Sequence, residues 1–244
     1  MTSKFTLPET DDTCYGINYE FSSAFGNIEF ARYRQNIVGD IIVSNCMLGS
    51  EMKETTIGRV EIDKLLIGNA MNAGASLIYL FDETQFIQDV VSELWDFRRM
   101  TWKKALLTHY NDDIIENDLL ILSRLEILPQ WRGKGLGRYV VRDVYNNFIS
   151  GAGLFTLKCF AIQGESFYNS RKEEAFNQAM RYDLFTPKLD LAFNTLLQYY
   201  KDMGLDYLPR VSRELLFINP ARVNVVFDEI DLNRFDDERD GAEE

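Results

Sequence analysis

Histidine is nearly missing from this chain: His109 is the only one among 244 residues. Cysteine is scarce as well, with Cys14, Cys46 and Cys159 far apart and no CxxC spacing. These two shortages exclude the common zinc sites. They also leave any Cys-His or Ser-His-Asp arrangement dependent on one imidazole in ALLTHY, where helical spacing puts it at a half-buried or surface position. No metal is expected. Long apolar runs are lacking too: nothing approaches the roughly 18 residues of a membrane helix, and MTSKFTLPETDDT at the start has no apolar h-region. The expectation is a cytoplasmic protein with no membrane partner. Positive charge is in deficit, with 26 Lys and Arg against 38 Asp and Glu. A surface of that sign lacks the basic patch that phosphate backbones require, so no nucleic acid is expected.

The acid is unevenly spread. Asp228 to Glu244 holds nine acids and two arginines, seven of the twelve net negative charges. So acidic and apolar-poor a segment is expected to be a disordered tail, with a docking tail for a basic partner as the alternative. With 46% hydrophobic residues, the chain can bury a sizeable core, and residues 1–227 read as a single domain.

Short apolar runs from Tyr15 to about Ile67, such as GINYEF, IVGDIIV and IGRVEID, predict an antiparallel meander. Asn69 to Phe81 is ambiguous between helix and strand. Phe86, Ile87, Val90, Val91 and Leu94 fall on one helical face. RRMTWKK, residues 98–104, reads as the solvated face of an amphipathic helix in preference to a phosphate site. Asp118 to Leu128 alternates as a strand. Period two puts Leu119, Ile121, Leu125 and Ile127 on one face and Arg124 and Glu126 on the other, together with Leu120 and Leu122. After a glycine-rich loop, Val140, Val141, Val144, Tyr145 and Phe148 repeat at helical spacing, and residues 154–162 read as a buried strand. Strand, loop, helix and strand then form a right-handed crossover between parallel strands.

The loop, QWRGKGLGRY, carries Gly133, Gly135 and Gly137 where a strand turns into a helix. The first N–H groups of that helix are unpaired, the macrodipole favours an anion there, and hydrogen in place of side chains lets phosphate oxygens approach. The loop is neither a P-loop, because no Lys-Ser or Lys-Thr follows Gly137, nor the dinucleotide pattern G-x-G-x-x-G. A tight connection with glycines for packing alone is the plainer alternative; one glycine would serve a mere turn.

RGKGLG, residues 132–137, matches the R/Q-x-x-G-x-G/A signature and, with the strand and Pro129 before it, resembles the GNAT superfamily of acyl-CoA N-acyltransferases. LLQYYKDMGL, residues 196–205, is similar to that family's helix end F-Y-x-x-x-G-F. Together these resemblances cover roughly residues 118–218. They imply an α/β fold with a mixed, centrally splayed sheet and helices on both faces. They imply transfer of an acetyl group from acetyl-CoA to a primary amine on a small molecule or protein. Main-chain amides of Arg132, Gly133, Lys134, Gly135, Leu136, Gly137 and Arg138 would hold the CoA pyrophosphate. Ile127 and Leu128 would pair with the pantetheine arm and point an N–H at the thioester carbonyl. Tyr200 would protonate the departing thiolate, with Tyr199 as its packing neighbour.

Acyl transfer to an amine needs a neutral nucleophile, an oxyanion donor and a proton for sulfur, none of which requires histidine. Glu126 is the candidate base, with a same-face ion pair to Arg124 as the equal alternative. Cys159 reads as a small buried hydrophobe. The chain departs from the family in three places: an insert at about 164–190, expected to add a helix beside the acceptor site; Phe193 where an Asn is common; and strands where early helices are usual. A homodimer is left open, and a non-catalytic acyl-CoA sensor or protein-interaction module is the alternative function.

Overall fold

The computed structural model describes residues 13–22, 31–45, 54–164 and 174–230. The chain begins with the expected meander, β1 (Thr13–Ser22), β2 (Arg34–Asn45) and β3 (Glu54–Leu65), paired antiparallel in that order. The ambiguous stretch becomes two short helices, α1 (Ile67–Asn72) and α2 (Leu77–Phe81). α3 (Gln85–Leu94) follows, its first turn capped by Thr84, whose hydroxyl accepts from Ile87 N at 3.1 Å.

The basic segment is not a helix face. Asp96 accepts the amides of Arg98 and Arg99 and turns the chain into a small hairpin of β4 (Trp95–Asp96) and β5 (Thr101–Trp102), ahead of α4 (Lys104–His109). This local side-chain to backbone bonding defeats the helix.

Next come β6 (Asp118–Ile127), α5 (Leu136–Phe148) and β7 (Ala152–Lys158), with β6 and β7 parallel as expected of the crossover. β7 ends at Lys158, short of the 154–162 reading. The insert contributes α6 (Glu174–Ala179), and its residues 165–173 lie outside the described ones. α7 (Leu189–Asp202), β8 (Asp206–Tyr207), β9 (Leu215–Ile218) and α8 (Val225–Asp228) complete the chain. The tail read from Asp228 onward is structured at its start, where Asp228 closes α8 and pairs with Arg142 at 2.8 Å; residues 231–244 lie outside the described ones.

Among the described residues, seven strands make one mostly antiparallel sheet in the order β1-β2-β3-β6-β7-β9-β8. Alternate residues feed two cores. Leu120, Leu122, Phe155, Leu157 and Leu216 join Val140, Val141 and Val144 of α5, with α7 packed onto the same cluster. Leu119, Ile121, Leu154, Leu215 and Phe217 join α1 to α4 on the other face. Each fully buried aliphatic contributes about 1.5–3 kcal/mol relative to exposure, so both faces of the central strands are held. Cys14 is disulfide-bonded and Cys159 is a buried free thiol. No helix among the described residues is long and apolar enough to cross a membrane.

One feature of β6 overturns the simple alternation. The register with β3 pairs Ile62 with Leu122 but Glu61 with Arg124, so Ser123 is an extra residue, a β-bulge. A one-residue slip exchanges the faces of everything beyond it. Leu125 and Ile127 therefore join Leu120 and Leu122 on the α5 face. Arg124 and Glu126 move to the opposite face, where Ser123 donates to the buried Asp63 at 2.6 Å.

Candidate functional site

The last paired residues of β6 and β7 are Leu122 and Leu157. β6 continues for five residues to Ile127, and between the strand ends opens a cleft of about 1330 Å³. Its walls include Arg124, Leu125 and Ile127 of β6, Lys158 of β7, the loop from Trp131 to Arg138, Phe185 and Thr186 of the insert, and Tyr199 and Tyr200 of α7. This volume exceeds that of an ordinary small-molecule pocket, about 300–1,000 Å³, and suits a long ligand.

Which main-chain groups face the gap follows from the ladder. Leu128 N donates to Ile57 O at 2.8 Å. Antiparallel pairs alternate between bonded and non-bonded, so the neighbouring pairs Ile127 with Gly58 and Leu125 with Val60 turn their amides and carbonyls away from β3, toward the cleft. Leu128 does not border the cleft, and its N–H is removed from the role the resemblance implied. The Leu125 N–H, by contrast, faces the gap. The bulge and the pairing register that reveal it come from β3, distant in sequence.

The glycines have conformational reasons of their own. Gly133 and Gly135 sit at φ 73° and 79°, left-handed positions costly for other residues. A Cβ on Gly137 would lie 2.7 Å from the Tyr199 hydroxyl. The glycine count by itself is therefore explained without a ligand. The unused donors are not. Among the described residues no backbone carbonyl at hydrogen-bond distance accepts from the amides of Gly133, Gly135, Leu136 or Gly137, and these cluster at the start of a thirteen-residue helix on the cleft wall. Helix N-termini attract anions for this reason. Lys134 does not line the cleft; its Nζ lies 4.8 Å from the ring centre of Trp131, which does.

Arg132 uses its side chain structurally. Its Nε donates to Ile127 O at 2.6 Å and its guanidinium to Met180 O at 2.6 Å, and it stacks 4.2 Å from the Phe185 ring centre. It ties the end of β6 to the loop and to the insert. The insert also reaches the other face of the sheet, where Phe176 covers Arg59 at 4.1 Å.

Glu126 is buried. Its Oε1 accepts from Arg124 at 2.8 Å and from the Tyr182 hydroxyl at 2.7 Å. Arg124 borders the cleft and Glu126 does not, so of the two readings the ion pair has the geometry for it. Tyr199 and Tyr200, 5.3 Å apart, both border the cleft, which makes Tyr199 a site residue that sequence reasoning set aside as packing. Burial pushes the Tyr200 hydroxyl well above its ordinary value, reinforced by Tyr199 and Cys159. Burial also pushes Tyr199 up to about 12, against the opposing pull of Arg138. Both are proton-bearing at neutral pH. Burial raises the Cys159 thiol to about 12, and its Sγ donates to Phe193 O at 3.5 Å.

His109 lies in α4 beside Tyr110 and Asp206 and is not part of the cleft. Among the described residues no group of three or more His, Cys, Asp or Glu side chains could hold a metal ion. Comparison of the chain with known protein families, with curated proteins and with solved structures found no match.

Proposed function

We propose that the protein is an N-acyltransferase that moves an acyl group, acetyl in the simplest case, from its CoA thioester to a primary amine. The observation that carries this reading is the cleft itself. One cavity joins a row of unpaired amides at a helix N-terminus, a strand edge with main-chain groups turned to it, and a half-buried, protonated tyrosine. The ends of that row match the chemistry of an acyl-CoA: a pyrophosphate at the Gly133 to Gly137 amides, an amide-bearing arm along Leu125 and Ile127, and sulfur near Tyr200.

The steps then follow from this chain's own groups. A cleft-facing β6 amide donates to the thioester oxygen as charge develops there. The amine nitrogen forms the new C–N bond, the C–S bond breaks, and Tyr200 supplies the proton to sulfur while the amine's proton passes to water or a basic group. Glu126, fixed by Tyr182, holds the Arg124 guanidinium at the cleft wall and acts as a positioning residue.

The test compares acetyl-CoA with acetyl-pantetheine, which lacks the pyrophosphate, by calorimetry. Several charge-assisted bonds at about 1.5–3 kcal/mol each make acetyl-CoA at least roughly tenfold tighter. No binding of acetyl-CoA sinks the proposal. Binding without release of free CoA thiol in the presence of any amine leaves the sensor reading in its place.

A further inference from the structure

β1 is the outer strand of the sheet, with β2 its one neighbour among the described residues. An open edge of this length is a template for another strand, and proteins blunt such edges with Lys, Pro or a bulge. β1, TCYGINYEFS, contains no Lys and no Pro, Glu20 is its one charge, and its register with β2 runs without a shift. Its two sides differ. Tyr15, Ile17 and Tyr19 pack toward the α5 core. Phe21 points the same way and meets Phe148 at 5.9 Å, yet remains 66% exposed. Asn18 and Glu20, on the opposite side, are exposed to solvent.

We infer that β1 pairs antiparallel with β1 of a second copy of this chain, about a two-fold axis at Asn18. In that register Tyr15 of one copy faces Phe21 of the other, Ile17 faces Tyr19, Gly16 faces Glu20, and Asn18 faces Asn18. Opposed residues of an antiparallel pair share a face of the sheet, so the exposed Phe21 ring is covered by a tyrosine and the apolar side runs on across the axis. The strand's one charge meets a glycine, and no like charges oppose each other. The two Asn18 amides carry the donors and acceptors to bond each other. A slip by one residue would set apolar side chains against polar ones, and a slip by two would take the exposed Phe21 ring off Tyr15, opposite Thr13 or Ile17 instead. The pattern is self-complementary, as an isologous contact must be. It supplies roughly nine main-chain hydrogen bonds, about the number found in a typical interface.

The experiment is size-exclusion chromatography with light scattering on the full chain and on Asn18→Lys. Asn18 is exposed, pairs with Asp40 of β2 and bonds weakly to Glu54 at 3.4 Å, so a lysine is compatible with the folded subunit. At the axis, two lysine side chains would start from Cβ atoms about 5 Å apart and bring like charges together. The parent is expected to run as a dimer, and Asn18→Lys as a monomer with an unchanged circular dichroism spectrum and a dissociation constant raised roughly tenfold or more. An equimolar mixture of Asn18→Lys and Asn18→Glu should dimerise again. A monomeric parent, a parent dimer that survives Asn18→Lys, or a mixture that stays monomeric would each overturn the inference.

Discussion

Glu126→Gln separates the two roles open to this carboxylate. The side chain is 6% exposed and one oxygen accepts from both Arg124 and Tyr182, at 2.8 and 2.7 Å. Glutamine keeps the length and one carbonyl oxygen but loses the charge. A bond to a charged group contributes about 1.5–3 kcal/mol and a neutral one about 0.5–1.5, so two weakened bonds come to about 2 kcal/mol. Arg124 is 24% exposed on its side chain, and solvent screens only part of that loss. For a chain of this size, a loss of about 2 kcal/mol lowers Tm by about 4–8 °C, readable by thermal unfolding followed with circular dichroism. As a positioning residue, Glu126 should give a variant that is less active at every pH, with a profile shaped like the parent's. A Tm within about 1 °C of the parent, together with turnover that recovers as the amine deprotonates at high pH, would refute the ion-pair argument and make Glu126 the base.

Tyr200→Phe should leave acetyl-CoA affinity nearly unchanged and lower kcat by roughly 10² to 10⁴, the range for one general acid; normal turnover with lost stability would return Tyr200 to the core. Alkaline stability gives a second check. Tyr199 is raised to about 12 when folded, against about 10 unfolded, so its contribution is complete below about pH 10 and is lost as pH climbs toward about 12. The urea midpoint should hold through neutral pH and fall above about 10, less steeply in Tyr199→Phe; an equal slope in that variant would contradict the assignment. Arg132→Ala should destabilise by about 1–3 kcal/mol, because two carbonyls lose a charged donor, and should open the insert to proteolysis. Arg132→Lys should not restore it, since an ammonium cannot reproduce the planar fork; full rescue by lysine would show that charge alone suffices.

What the sequence determined by itself was local in cause. The meander, α3, α5 and the strand-loop-helix-strand crossover were legible because hydrophobic period and glycine placement act within a few residues. For the same reason the loop at Gly133 to Gly137 stood out in the sequence. RRMTWKK misled because one aspartate, Asp96, outweighed helical spacing. Tertiary structure decided the rest. The Ser123 bulge exists only against β3, and it reverses the faces of Arg124 and Glu126, so a period-two reading of β6 could not assign them. Leu125 and Ile127 became cleft-facing because Leu128 found Ile57 across the ladder. Tyr199 moved from packing to the cleft wall because Gly137, more than sixty positions earlier, leaves room for its hydroxyl. Contacts between distant segments carry no periodic trace in either segment, which is why the motifs were visible in the sequence as separate pieces and the cleft only once the sheet had brought them together.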